Sequence, residues 1–113
     1  MAVAIGRLSN YYMSQIDRTN ISAYENVQRY IELVELYRTM QKQVKQDGPS
    51  VEIQNGQQSY IKSHPLISDM KNINAQLINL KKDIEKHIEQ YKKELEAEQK
   101  SNKKVQRKGL LEA

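Results

Sequence analysis

The sequence feature that most limits the possible folds is the segment from Lys45 to Leu66, KQDGPSVEIQNGQQSYIKSHPL, which interrupts an otherwise helical chain once. Gly48 and Pro49 end a helix there, because glycine accepts left-handed backbone angles and proline cannot continue the hydrogen-bond ladder. Pro65 suits the first position of a new helix, where its missing amide is not needed. The chain is therefore predicted to form two helices joined by a short connection.

The connection itself has the pattern of a β-hairpin near residues 50–62. Two apolar residues alternate with polar ones before Asn55-Gly56, and two more apolar residues follow. Asn-Gly is the strongest short hairpin signal, because both residues tolerate the positive φ of a type I′ turn. A plain loop remains the alternative. Since a two-stranded ribbon is barely stable alone, we expect it to contact a neighbouring subunit through Val51, Ile53, Tyr60 and Ile61.

The first long helix is predicted to run from about Ser22 to Gln46. Ser22 and Glu25 have the spacing of a capping box, in which each side chain satisfies a free amide of the first turn. Apolar residues then recur at helical spacing and form one broad face. They are Tyr24, Val27, Tyr30, Ile31, Leu33, Val34, Tyr37, Met40 and Val44.

The second helix is predicted from Pro65 to about Lys100, with a coiled-coil-like stripe of Met70, Ile73, Leu77, Leu80, Ile84, Ile88, Tyr91 and Leu95. At 1.5 Å per residue it spans about 50 Å, against about 37 Å for the first helix. An antiparallel pair therefore leaves an overhang, which either the N-terminal arm or another subunit must cover. The arm has helical spacing up to Asp17, and the candidate subunit contacts on the stripe are Ile84, Ile88, Tyr91 and Leu95.

Composition favours an assembly of copies over a monomer with a deep core. The chain has 113 residues, 38% of them hydrophobic, and neither Trp nor Phe, and its mean hydropathy is -0.82. Small domains of this kind bury too little surface to be very stable alone. The fold class is predicted to be mainly α, with two long antiparallel helices, a short β-hairpin, a short N-terminal helix and a basic C-terminal tail.

Residues that carry enzyme chemistry are scarce. The chain has no Cys, and its two histidines, His64 and His87, lack the partners of a metal site. His64 is interpreted as a helix-entry residue. Gly48 and Gly56 do not form a phosphate-binding loop, because no Gly-Lys-Ser/Thr sequence follows them. We expect no catalytic residue, no metal and no cofactor, and the sequence has no apolar stretch typical of a signal peptide or a membrane span.

The C-terminal segment is basic and contains no acid from Gln99 to Leu111. Two interpretations stay open: a solvated, disordered tail, or an arm that binds the phosphates of a nucleic acid and releases counterions. The candidate DNA-binding residues are Lys100, Lys103, Lys104, Arg107 and Lys108, with Arg7 and Arg18 as a second choice. The predicted divisions are an N-terminal arm over 1–19, a helical oligomerisation domain over 20–98 and a basic flexible tail over 99–113.

The order of these features resembles the small terminase subunits of tailed bacteriophages over about residues 8 to 90. The shared elements are a tyrosine-containing first helix, a Gly-containing break, an Asn-Gly turn, a His-Pro helix start and the Leu77/Leu80 repeat. Many members close the second helix with a Gly-Leu-Ser/Thr-Pro turn, whereas this chain continues through IEKHIEQYKKELEAEQK. The chain also has no recognisable helix-turn-helix before Ser22.

The resemblance implies a non-catalytic component of a genome-packaging motor. Such a protein forms a homo-oligomeric ring, binds double-stranded viral DNA and regulates the large terminase subunit, which holds the ATPase and nuclease, in the host cell cytoplasm. No membrane partner is expected. The alternative from the residues alone is a helical coiled-coil adaptor that binds a partner helix and has no nucleic-acid function.

Overall fold

The protein is an elongated rod of 94 × 21 × 20 Å. The computed structural model describes residues 2–48, 50–56 and 58–111, with the backbone alone described at 51, 53–55, 58–61 and 102–111. In chain order its elements are helix α1 (Ile5–Gln15), helix α2 (Ile21–Asp47), strand β1 (Ser50–Asn55), strand β2 (Gln58–Ser63) and helix α3 (Pro65–Leu111). This mainly helical architecture confirms the predicted fold class.

The break between the long helices contains the predicted β-hairpin. Gly48 ends α2 at a φ of 86°, and its amide donates to the Val44 carbonyl at 2.8 Å. β1 and β2 are antiparallel, with a register that runs from Ser50 opposite Ser63 to Asn55 opposite Gln58.

The hairpin turn is placed one residue later than expected. Asn55 ends β1 and pairs with Gln58, so the prediction of an Asn55-Gly56 turn is wrong by one position. Gly56 is the first residue after the strand and has a φ of 66°. Both favoured hairpin turns place a positive φ at that first position, which glycine adopts without a steric penalty.

Helix α2 starts one residue earlier than predicted, and with a different cap. The Asn20 side chain accepts a hydrogen bond from the Ala23 amide at 3.1 Å, so Asn20 is the N-cap. The predicted capping box of Ser22 and Glu25 does not form, and Glu25 instead pairs with Arg29 one turn later. Asn is among the preferred N-cap residues. Asn20 lies directly before Ile21, the first residue of α2, and therefore caps the helix in place of Ser22.

Replacing Asn20 by alanine is expected to lower the free energy of unfolding by about 1 kcal/mol, because the Ala23 amide loses its acceptor. The measurement is urea unfolding followed by circular dichroism. Ser22→Ala is the matched control, since Ser22 is exposed within the first turn and does not cap the helix. A larger loss for Ser22→Ala than for Asn20→Ala would contradict this assignment.

The core lies where all three helices meet. Val27 of α2 and Ile84 of α3 are fully or almost fully buried, at 0% and 2% exposure. Tyr12 and Ile16 from the α1 side complete this cluster together with Ala23, and the Tyr12 ring meets the Tyr30 ring edge-to-face at 5.4 Å. The N-terminal helix therefore covers one side of the α2–α3 pair.

Helix α3 continues to Leu111, so the predicted helix end near Lys100 is wrong. Residues 99–108 contain neither proline nor glycine, and are rich in Lys, Gln and Arg, which have good helix propensity. The basic charges at that end therefore follow a helical backbone.

Candidate functional site

The C-terminal part of α3 extends beyond the three-helix region. The amide of Asp17, just before α2, donates to His87 Nε2 at 3.2 Å, which places the start of α2 beside this part of α3. His87 also stacks on Tyr91, with ring centres 6.0 Å apart. Residues 92–111, here called the α3 extension, therefore project about 30 Å past the start of α2.

The α3 extension carries the first-choice basic residues predicted for DNA binding. The described side chains from Lys92 to Ser101, including Lys100, are all exposed. The side chains of Lys103, Lys104, Arg107 and Lys108 lie outside the described residues, although their backbone is helical. Relative to Lys100 these four positions follow at 3, 4, 7 and 8 residues, which places all five on one side of the helix. We call these five positions the basic face.

The basic face lies opposite the apolar stripe of the same helix. At 100° per residue, Ile84, Ile88, Tyr91 and Leu95 cluster around a direction about 160° from the centre of the basic face. The stripe is packed against α1 and α2 near Ile84 and Ile88. The basic positions and the apolar stripe therefore lie on different sides of the helix.

The second-choice basic residues lie on the N-terminal side of the molecule. Arg18 is exposed, and its Nε donates to the Met13 carbonyl at 2.9 Å, in the connection between α1 and α2. Arg7 is exposed on α1, more than one turn before Tyr12. Arg18 therefore lies near the start of the α3 extension, whereas Arg7 lies further back along the bundle.

The candidate interface residues of the stripe differ in how much surface they offer. Ile84 is 2% exposed and Ile88 packs against the same core, so α1 already covers both within one chain. Tyr91 is half-buried and Leu95 is 39% exposed. The side chains of Val51, Ile53, Tyr60 and Ile61 lie outside the described residues. Their interface role stays a prediction.

The base of the hairpin is held by a polar contact between the two long helices. Asp47 Oδ2, in the last residue of α2, lies 2.9 Å from His64 Nε2, and the side-chain amide of Gln43 donates to the same oxygen at 2.9 Å. Hydrogen bonds from Gln43, then from His64, lower the pKa of Asp47. His64 is 8% exposed, and its Nδ1 accepts from the Leu66 amide at 3.2 Å. This confirms that His64 is a helix-entry residue.

An open groove of about 550 Å³ lies between α2 and α3. Its apolar lining comes from Leu33, Leu36 and Leu80, of which Leu36 is 44% exposed. Charged and amide side chains complete the lining, from Arg29, Glu32, Gln76, Asn79 and Asp83. The groove follows a contact between two helices, and the described residues that line it include no histidine, cysteine or serine.

The shifted ionisable groups are explained by structural contacts. Burial, followed by the neighbouring Tyr30, raises the pKa of Tyr12 to about 12. Hydrogen bonds from the Thr19 hydroxyl and amide lower the pKa of Asp17. Among the described residues, no three His, Cys, Asp or Glu side chains are grouped so that they could hold a metal ion. None of the described helices has an apolar stretch long enough to cross a bilayer.

The family model for phage terminase, small subunit, matches residues 10–109 of the chain. Because this match covers far more than half of the chain, the protein belongs to the phage terminase small-subunit family, as its sequence features predicted. The match includes most of the α3 extension, beyond the resemblance that ended near residue 90. Searches of curated proteins and of solved structures found no significant match.

Two features of the site were not predicted. The Asp47–His64 contact joins residues that are 17 positions apart, so no local pattern indicates it. The leucine-lined groove was not predicted, because Leu36 lies outside the predicted apolar face of α2 and helical spacing does not tell which apolar residues a neighbouring helix leaves uncovered. The Asn20 cap, in contrast, had a visible signal, since Asn is a preferred N-cap residue.

Proposed function

We propose that this protein is the DNA-recognition component of a phage packaging motor, which assembles into a ring and regulates the large terminase subunit. Family membership supports a packaging role, and the observation that carries the DNA-binding part is the α3 extension. Its basic face is a helical row of five cations without an intervening acid. Such a row of positive charges is suited to bind the phosphates of a duplex, because these contacts release the counterions bound to the DNA.

Binding is multivalent in this proposal. One basic face makes few phosphate contacts, but a ring presents the same face once per subunit, and linked weak sites raise the overall affinity without new contacts. Sequence selectivity then comes from how easily the DNA bends around the ring, since the bending energy differs between DNA sequences. The protein itself needs no catalytic residue for this role, because the ATPase and nuclease belong to the large subunit. The site of action is the host cell cytoplasm.

Assembly uses the two ends of the rod in this proposal. The hairpin lies at one end of the α2–α3 pair and the α3 extension projects from the other, so contacts at the hairpin do not compete with DNA for the same surface. Tyr91 and Leu95 offer a further contact along the stripe, because both retain exposed surface. Ile84 and Ile88 support this contact from beneath, as part of the core that positions the helix.

The oligomeric mass in solution is the decisive first measurement. We expect light scattering coupled to size exclusion to give one species of many subunits. Deletion of 100–113 should preserve the number of subunits and abolish the gel shift of double-stranded DNA. The separation follows because the deletion removes the basic face and leaves the hairpin intact. A monomer or dimer that does not shift DNA would instead support the adaptor, for which the groove at Leu33, Leu36 and Leu80 offers a place for a partner helix.

A further inference from the structure

The base of the hairpin is a closed cycle of contacts. β1 begins three residues after Asp47, Ser50 pairs with Ser63 across the ladder, and His64 follows Ser63 directly. The Asp47–His64 hydrogen bond of 2.9 Å closes this cycle between the two helix ends. The end of α2 and the start of α3 are therefore as far apart as two paired strands.

A proline restricts the backbone on both sides of the cycle, and rotation is easiest at Gly48. On the β2 side, Pro65 has a fixed φ and restricts the backbone of His64 before it. On the β1 side, Pro49 follows Gly48 in the sequence and also has a fixed φ, but Gly48 lacks a side chain, so its own φ of 86° can change at little steric cost. The contact between Asp47 and His64 is therefore the side-chain link that limits how the hairpin swings about Gly48.

The His64 ring is itself held in place from two directions. Its Nδ1 accepts from the Leu66 amide at 3.2 Å, so Nε2 carries the proton that is donated to Asp47. Asp47 is held in turn by Gln43 at 2.9 Å. A carboxylate at the C-terminal end of a helix is disfavoured by the helix dipole, and here that carboxylate has two hydrogen-bond partners that offset the cost.

From this geometry we infer that Asp47 and His64 form a clamp that sets the direction of the hairpin relative to α2 and α3, and so controls assembly of the subunits. The directional part rests on the contacts above, whereas the assembly part rests on the proposed function. A subunit whose hairpin points in many directions is competent for assembly only part of the time, and its apparent affinity for other copies falls by that fraction.

Two variants break the clamp and leave the cap of α3 in place. Asp47→Ala removes the acceptor, while His64 still accepts from the Leu66 amide. His64→Ser keeps a good N-cap residue but is too short to reach Asp47. Gln43→Ala is the matched control, because it removes the other partner of Asp47 and leaves the clamp bonded. Asp47→Asn retains an acceptor oxygen without the charge, and it is expected to behave like the wild-type chain.

The direct readout is the spread of distances between two spin labels, one on α2 and one on β1. The chain has no native cysteine, so Lys42→Cys and Glu52→Cys, both at exposed positions, label the full-length protein specifically. We expect the distance distribution to broaden in Asp47→Ala and in His64→Ser, and to stay narrow in Gln43→Ala. Circular dichroism checks that the helices stay folded. An unchanged distribution in either clamp variant would overturn the inference.

The assembly readout is the concentration at half-assembly, measured by light scattering without the labels. It is expected to rise about tenfold in both clamp variants and to stay unchanged in Gln43→Ala and Asp47→Asn. If both distributions broaden but assembly does not change, the clamp does not control assembly. A wild-type chain that is monomeric would refute the proposed function, while the label distances would still decide whether the clamp holds the hairpin.

Discussion

Replacing all five residues of the basic face by glutamine is expected to weaken binding to double-stranded DNA by at least about 100-fold near 0.1 M salt. Each lost phosphate contact also reduces the slope of log affinity against log salt by about 0.9. The salt dependence of the variant should therefore be visibly flatter than that of the wild-type chain. Fluorescence anisotropy with a labelled duplex at four or more salt concentrations measures both quantities.

The matched control removes five positive charges from other exposed positions of the long helices and the hairpin. It replaces by glutamine Lys42, Lys62, Lys71, Lys82 and Lys86. Both variants have the same net charge, so a general loss of attraction would affect them equally. Equal weakening in the two variants would show that DNA responds to overall charge, and the basic face would then have no special role.

The elements of the fold were predictable because their signals are local. Gly48, Pro49 and Pro65 restrict the backbone directly, and α2 ends within one residue of the position that they predict. Its start lies one residue before Ser22, although the capping box that predicted this start does not form. The end of α3 was predicted too early, because a charged segment without apolar spacing gives no periodic signal. Helix propensity and the absence of breakers before Gly109 decide its length instead.

The arrangement of the site was harder to predict, because it depends on contacts between distant parts of the chain. The overhang followed from unequal helix lengths, and α1 was one of two candidates for its cover. Only the tertiary structure places Tyr12 and Ile16 over Ile84. The same limit applies to Asp47 and His64, whose contact depends on how the two helices meet. Residue spacing indicates the apolar side of a single helix, but it does not indicate how two helices pack together.

Ile84→Ala is expected to lower the free energy of unfolding by about 2–5 kcal/mol, because it leaves a cavity in the three-helix core. Ile84 is 2% exposed and lies against α1 and α2, so the loss is a property of the single chain. Urea unfolding at two protein concentrations measures it. Ile84→Val, which is expected to cost about 0.5–1.5 kcal/mol, covers the case in which the alanine variant does not fold.

The matched control is Leu95→Ala on the same stripe of α3. Leu95 is 39% exposed on the α3 extension, so its loss should change the unfolding of a single chain by less than about 1 kcal/mol. If the proposed ring forms with Leu95 in contact with another copy, its effect on the ring should depend on protein concentration. Ile84→Ala could instead dissociate the ring without lowering the free energy of unfolding of the single chain. Ile84 would then be an interface residue, and α1 would have to leave the core during assembly.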